Sequence, residues 1–193
     1  MTTDMKQAKT LTERELRRVL DYTALTRHAM RNRVMVLLTF YAGLRIGEVA
    51  ALKLGDVVGA DHTMKGEILL APEQAKGGHS RAVFLNEKLR KELTAYVKTI
   101  KGRPLDLPLF RTQKQQGFSA NTLCQHFYWM YQRAGIDGAS SHSGRRTFAT
   151  NLASKGISVR VLSSLLGHRS IATTQRYIDV NDDMKRQAVG LLG

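Results

Sequence analysis

Residues 34–52 of the chain read VMVLLTFYAGLRIGEVAAL. The first part, 34–41, is almost entirely apolar, so we predict a helix that is buried on most of its sides. Gly43 ends that helix, and a short amphipathic helix is predicted over 46–52. Arg45 falls in the turn between them, where a long cationic side chain has no evident packing role.

Outward from this stretch, periodicity and capping residues predict further helices on both sides. Residues 67–71 and 81–85 instead predict two short strands, joined by a polar loop that contains Lys76. Helix N-caps are predicted at Thr12, Asn86, Ser119, Ser141, Ser158 and Ser170, with the helix from Ser141 running to Lys155 and the last helix carrying Tyr177. The expected class is mainly α with a small antiparallel β-hairpin, α+β.

A length of 193 residues suits one ordinary domain with a substantial core. We expect residues 1–193 to form that single domain, with no separate N-terminal domain. The tail carries apolar residues that predict a C-terminal helix over about 182–193.

The charge of the chain favours a polyanionic partner. Thirty Lys and Arg against sixteen Asp and Glu give a net charge of +14, and between 101 and 177 the acidic residues are only Asp106 and Asp137. Nucleic acid is the leading candidate. No apolar run approaches the ~18 residues of a membrane-spanning helix and no signal-peptide pattern opens the chain. We therefore expect a cytoplasmic protein without a membrane partner.

Several chemistries are excluded by residue type. Cys124 is the one cysteine, the six histidines are scattered, and no HExxH sequence or phosphate-binding P-loop occurs. We therefore expect no metal and no cofactor. Metal-free phosphoryl transfer remains, and it needs a nucleophile, cations around the phosphate and a proton donor for the leaving oxygen.

Those parts occur in order along the chain. Arg45 comes first. His142 and Arg145 follow, three residues apart at a helix start, where they share a face and the helix N-terminus adds amide donors. His168 lies in a turn between two helices, and Tyr177 comes nine residues later.

The chain resembles the catalytic domain of the tyrosine recombinase (phage integrase) family from about Thr39 to Tyr177. The motifs that carry the resemblance are GLRIGEVAAL at 43–52, the His142/Arg145 pair followed by RTFAT at 146–150, and LLGH at 165–168 ahead of Tyr177. Each motif is weak alone, and their order and spacing make the match specific.

The resemblance implies the catalytic-domain fold of that family and a transesterification without metal or ATP. Tyr177 would attack the scissile phosphate to give a 3′-phosphotyrosine, and Arg45 and Arg145 would hold the nonbridging oxygens. Lys76 would protonate the 5′ oxygen, with Lys65, Arg81 and His79 as nearby alternatives. His142 would be the general base or an orienting group, His168 a further phosphate donor, and Glu48 an organising carboxylate.

The implied partner is double-stranded DNA with a specific recombination site, bound by a homotetramer with accessory DNA-bending proteins. The enzyme would be associated with the nucleoid when it acts. The C-terminal helix over about 182–193 would dock on a neighbouring protomer. Two departures stand out. Ser143 and Gly144 replace the acidic residue and leucine that many relatives carry. Longer relatives also have an N-terminal domain that completes a clamp around DNA, whereas only about thirty residues precede the buried helix here, so we expect either a recombinase that works with its catalytic domain alone or a fragment.

The residues leave two other functions open. A type IB topoisomerase uses the same chemistry as a monomer to relax DNA, and a non-catalytic DNA-binding regulator would keep the fold alone. The apolar tail favours the recombinase, since relatives use such a tail between protomers.

Overall fold

A computed structural model describes residues 8–75, 78–177, 186, 189 and 190. Its helices are α1 Glu13–Ala24, α2 Ala29–Tyr41, α3 Ile46–Ala51, α4 Leu54–Val57, α5 Glu87–Lys98, α6 Ala120–Arg133, α7 Ser143–Ser154, α8 Val159–Leu166 and α9 Ile171–Gln175. Strands β1 Glu67–Leu70 and β2 Arg81–Phe84 pair antiparallel, with Glu67 opposite Phe84 and Leu70 opposite Arg81. The predicted class, mainly α with one antiparallel hairpin, is confirmed.

Helix α2 is the centre of the core, as its apolar sequence predicts. Residues 34–38 are almost completely buried, and α1, α5 and α7 pack around the helix. Gly43 follows it with a φ of +62°, and a Cβ built there would come within 2.5 Å of the Phe148 ring. A glycine is therefore required at the turn that presents Arg45.

Most predicted caps are confirmed. The hydroxyl of Thr12 accepts from the N–H of Glu15 at 3.2 Å, and the side chains of Asn86, Ser119 and Ser158 accept from backbone N–H groups in the same way. The prediction for Ser141 is wrong. Its neighbour Ser140 forms a tight turn with Ser143, whose N–H donates to the Ser140 carbonyl at 2.9 Å, so α7 begins later, with His142 as its N-cap.

Two further details differ from prediction. Helix α4 was not predicted, and it forms because the carboxylate of Asp56 accepts the N–H of Lys53 at 2.8 Å and caps the turn. Helix α9 ends at Gln175, so Tyr177 lies in the turn beyond it. Lys76 lies outside the described residues, as does the predicted C-terminal helix apart from positions 186, 189 and 190.

Candidate active site

A cavity of about 850 Å³ opens where the α2–α3 turn, the start of α7 and the α8–α9 turn meet. Five of the six predicted site residues line it: Arg45, His142, Arg145, His168 and Tyr177. The sixth, Lys76, lies outside the described residues. Residues 73–75, just before it, line the same cavity.

Arg45 is fixed at the start of α3 by Glu48. The backbone N–H of Arg45 donates to Oε2 of Glu48 at 2.8 Å, and its Nη1 donates to Oε1 at 2.8 Å. Its Nη2 lies 3.4 Å from the carbonyl oxygen of Gly167. The Arg45 side chain keeps 18% of its surface exposed, so its charge faces the cavity while its backbone is anchored.

Glu48 is 1% exposed and also binds Arg81 of β2. Nη2 of Arg81 donates to Oε2 of Glu48 at 2.6 Å, while Nη1 donates to the carbonyl of Leu165 at 2.8 Å. Burial alone would raise the pKa of Glu48, but the hydrogen bond and charge of Arg81 and the N–H of Arg45 hold the pKa below its ordinary value. Glu48 is therefore a carboxylate at neutral pH, and Arg81 ties the hairpin to the end of α8.

Arg145, in the first turn of α7, joins two of the turns that form the cavity. Its Nη1 donates to the carbonyl of Gly43 at 2.5 Å and its Nη2 to that of Leu166 at 2.6 Å. Burial and then the charge of Arg45 lower the pKa of Arg145 to about 9. The guanidinium is still cationic at pH 7, so Arg145 supplies charge to the cavity and also holds its walls together.

His168 is held through both ring nitrogens. Nη2 of Arg145 lies 3.0 Å from Nε2 of His168, and a guanidinium only donates, so Nε2 carries no proton here. The proton is then on Nδ1, which donates to Oγ1 of Thr174 at 2.8 Å. Burial and then the charge of Arg145 lower the pKa of His168 to about 4, so the ring is neutral at pH 7.

Tyr177 stacks on the ring of His168. The ring centroids are 5.9 Å apart and the planes are 20° from parallel. The N–H of Tyr177 donates to the carbonyl of Thr174 at 2.9 Å. The buried Thr174 therefore positions both the histidine, through its hydroxyl, and the tyrosine, through its backbone.

The structure explains how Ser143 and Gly144 fit between His142 and Arg145. The hydroxyl of Ser143 is buried and accepts the N–H of Ser140 at 2.9 Å. A Cβ on Gly144 would collide with Oγ1 and Cβ of Thr39 in α2. The glycine lets α7 approach α2 closely, and His142 stands exposed at the resulting helix start.

The alternatives to Lys76 have different surroundings. Nζ of Lys65 donates to the carbonyl of Gly55 at 2.6 Å and does not line the cavity. Arg81 is committed to Glu48. His79 lines an adjoining cavity together with Arg45 and His168. The role of Lys76 as proton donor stays a prediction.

Two residues of the site were missed by sequence reasoning. For Arg81 the sequence suggests only a substitute for Lys76, although its place at the start of a strand beside that loop is a usable signal. Thr174 gave no signal, because a threonine in a short helix is common. Within the part of the chain that the structure describes, no group of three His, Cys, Asp or Glu side chains is placed to hold a metal ion.

The chain matches the model of the phage integrase family over residues 9–184. It is 31% identical to the tyrosine recombinase XerA of Pyrococcus furiosus over 185 residues, which cover 94% of this chain and 60% of that protein. It is 29% identical to the tyrosine recombinase XerC of Lactobacillus leichmannii, covering 79% of this chain and 51% of the relative. The chain thus spans about 60% or less of the length of these relatives.

Solved structures of recombinases have the same fold as this chain. The crystal structure of XerA recombinase superposes with a TM-score of 0.76 at 28% identity, covering 94% of this chain and 64% of that one. The Tn1549 transposon integrase in complex with transposon right end DNA superposes with a TM-score of 0.76 at 19% identity, covering 100% of this chain and 68% of that one. The second likeness concerns the fold alone.

Proposed function

Because the chain belongs to the phage integrase family, whose members matched here are named tyrosine recombinases, we propose that it is a site-specific DNA recombinase. It cuts and rejoins DNA through a 3′-phosphotyrosine intermediate, without metal or ATP. One observation carries the proposal: Arg45, His168 and Tyr177, from three separate turns, converge on one cavity with Arg145 from the start of α7.

The two arginines form the proposed binding site for the scissile phosphate. Arg45 and Arg145 project into one cavity from different elements, and guanidinium groups match the geometry of phosphate oxygens. Their positive charge would stabilise the negative charge that builds up on the phosphate in the transition state. Glu48 keeps Arg45 in place with a carboxylate that is itself neutralised by Arg81.

The reaction exchanges one phosphoester bond for another. The phenolic oxygen of Tyr177 attacks phosphorus and its proton passes to a base, the role assigned to His142. The bond from phosphorus to the 5′ oxygen breaks, and Lys76 protonates the departing oxygen. After strand exchange a 5′-hydroxyl attacks the phosphotyrosine and releases Tyr177.

His168 needs a change of partner to act on DNA. Its Nε2 accepts from Arg145 in the DNA-free state, whereas a donor to a phosphate oxygen must carry a proton on that atom. An incoming phosphate oxygen competes for Nη2 of Arg145 and releases Nε2. DNA binding and protonation of the imidazole are therefore coupled in this proposal.

The proposed partners follow from the same function. The substrate is double-stranded DNA with a specific recombination site, and the working assembly is a homotetramer in which the segment over about 182–193 docks on a neighbour. Accessory DNA-bending proteins belong to the proposal, as does action in the cytoplasm at the nucleoid. No helix in the described part of the chain is long and apolar enough to span a membrane.

A suicide substrate tests this function. A nicked duplex made from the DNA that flanks the gene is incubated with the protein and resolved by denaturing electrophoresis. The wild-type protein should form a covalent adduct, also in EDTA, and Tyr177→Phe should bind the duplex without forming one. Tyr128→Phe, which alters an exposed tyrosine on α6, should react normally.

Three outcomes would argue against the proposal. An adduct with Tyr177→Phe would show that the nucleophile is another residue. No adduct with any duplex would favour a DNA-binding regulator. Relaxation of supercoiled plasmid without strand exchange would favour the topoisomerase.

A further inference from the structure

A second cavity lies at the opposite end of α2 from the active site. Its volume is about 370 Å³, and it is bounded by the start of α2, the end of α5 and the segment 103–115. The 13 residues of α2 span about 20 Å. The two cavities share no lining residue, so the second one is a separate feature of the molecule.

The second cavity is strongly cationic. Four arginines and a histidine line it, and no carboxylate does. These residues are Arg27, His28, Arg31, Arg103 and Arg111. The ion pairs found among the described residues all involve other side chains. Such crowding of like charge is unfavourable unless an anion relieves it.

Three polar nitrogens at this cavity lack partners. Nε2 of His28, Nη1 of Arg103 and Nε of Arg111 are shielded from solvent and make no hydrogen bond within the protein. A buried polar group without a hydrogen-bond partner destabilises the folded protein. The two arginine nitrogens can only donate hydrogen bonds, so together they indicate a ligand that accepts them.

Several contacts hold Arg31 in a fixed position at this cavity. Arg31 is 9% exposed and its Nη1 donates to the carbonyl of Arg111 at 2.6 Å. Its Nε and Nη2 donate to Oδ1 of Asn32 at 3.1 and 2.9 Å, and its guanidinium lies 5.1 Å above the centre of the Phe118 ring. This fixed arginine orients the segment that carries Arg111.

The start of α2 adds donors of a second kind. His28 is the N-cap and makes no side-chain capping bond. Ala29 and Met30, the first residues of the helix, line the cavity, and the amides of a first helical turn have no carbonyl partner within the helix. Backbone donors and arginine donors thus surround the same small volume.

We propose that this cavity is a second anion site, which takes one phosphate group through Arg27, Arg103, Arg111 and the first amides of α2. The phosphate belongs either to the backbone of bound DNA, away from the cleavage point, or to a small free phosphate compound. The proposal concerns binding alone, so it stands or falls independently of strand cleavage.

The first arm of the test uses inorganic phosphate. Phosphate is titrated calorimetrically against the protein, with sodium chloride of equal ionic strength as the blank. All proteins carry Arg45→Gln, which weakens phosphate binding at the active site. Arg103→Gln and Arg27→Gln should each bind phosphate roughly tenfold more weakly, the loss expected for one charge-assisted hydrogen bond. Arg17→Gln, an exposed arginine of α1 outside both cavities, should bind as before.

The second arm uses a short DNA duplex and identifies the source of the phosphate. A DNA phosphate is supported if Arg103→Gln and Arg27→Gln bind the duplex more weakly. The slope of log affinity against log salt concentration should then fall by the amount expected for about one phosphate contact. Lost phosphate binding with unchanged duplex binding supports a free phosphate compound. The proposal is overturned if both variants match Arg17→Gln in both arms. Arg27 is exposed, so its variant remains informative should Arg103→Gln fail to fold.

Discussion

Nη2 of Arg145 lies 3.0 Å from Nε2 of His168 and donates a hydrogen bond to it. Both side chains are assigned to the same phosphate, so in the DNA-free protein two groups intended for substrate bind one another. The interaction fixes the tautomer of the histidine and leaves Nδ1 to donate to Thr174. Under the proposed function, a DNA phosphate would have to break this hydrogen bond before His168 could donate to it.

The first prediction concerns Thr174. Thr174→Val removes the acceptor for Nδ1–H of His168 with little change in volume, so the ring loses its fixed orientation. We expect covalent adduct to form about tenfold more slowly, with duplex affinity unchanged. Thr174→Ser keeps the hydroxyl and should form adduct at the wild-type rate. Equal rates of adduct formation for Thr174→Val and Thr174→Ser would show that the Thr174 hydroxyl does not position His168.

The second prediction concerns the protonation of His168. Its pKa of about 4 reflects burial and then the charge of the nearby arginines. A DNA phosphate between those arginines favours the cationic ring, so binding should raise the pKa. Histidine NMR titration of the Tyr177→Phe protein, with and without duplex, measures the change, and a His168→Gln spectrum assigns the signal. A pKa that stays near 4 in the complex would place the phosphate elsewhere.

The third prediction concerns the stability that Glu48 provides. The pKa of Glu48 is lowered in the folded protein, so its contribution is present above the unfolded value of 4.5 and is lost as pH falls through the lower folded value. Glu48→Gln should destabilise the fold by about 3 kcal/mol at pH 7, because Arg81 loses its buried charge partner.

Urea unfolding at pH 7 and below pH 4 measures this loss, which should shrink at the lower pH. Glu87→Gln is the matched control, because the Glu87–Arg90 pair is largely exposed. This substitution should lower the free energy of unfolding by less than about 1 kcal/mol. Equal losses for the two variants would contradict a special role for the buried carboxylate.

The fourth prediction separates Arg145 from its neighbour. Arg145→Ala removes a donor to the phosphate and should slow adduct formation by ~10²- to 10³-fold without abolishing it. It should also lower the unfolding midpoint, since the carbonyls of Gly43 and Leu166 lose their partner. Arg146→Ala loses a bond to the carbonyl of Ala8 instead and should cleave at the normal rate. Full activity of Arg145→Ala would refute the assignment.

The fifth prediction tests Lys76 as proton donor. Lys76→Ala should cleave ordinary DNA slowly, yet react normally on a substrate whose 5′-bridging oxygen is replaced by sulfur, because a thiolate leaves without a proton. Lys65→Ala serves as the control, since Lys65 is bound to the carbonyl of Gly55. If the sulfur-containing substrate does not restore the cleavage rate of Lys76→Ala, the proton comes from another group.

The sequence predicts the parts of this molecule that obey local rules. The apolar stretch 34–41 located α2, although the helix begins earlier, at Ala29. Side-chain caps located α1, α5, α6 and α8, and both signals depend on neighbouring residues. The start of α7 escaped prediction, since a turn at Ser140 competes with a cap at Ser141. The pairing of Arg81 with Glu48 across 33 positions, and the double role of Thr174, depend on tertiary packing that no local pattern encodes.

The close approach of α7 to α2 at Gly144 bears on protein engineering. Stabilising a protein by adopting the consensus of its relatives assumes that their backbones are spaced alike. The resemblance described above implies a leucine at this position in many relatives, whereas here even an alanine methyl meets Thr39. Consensus design at residue 144 would therefore wedge apart the two helices that it aims to strengthen, and a leucine would be accepted only with a compensating smaller residue in place of Thr39.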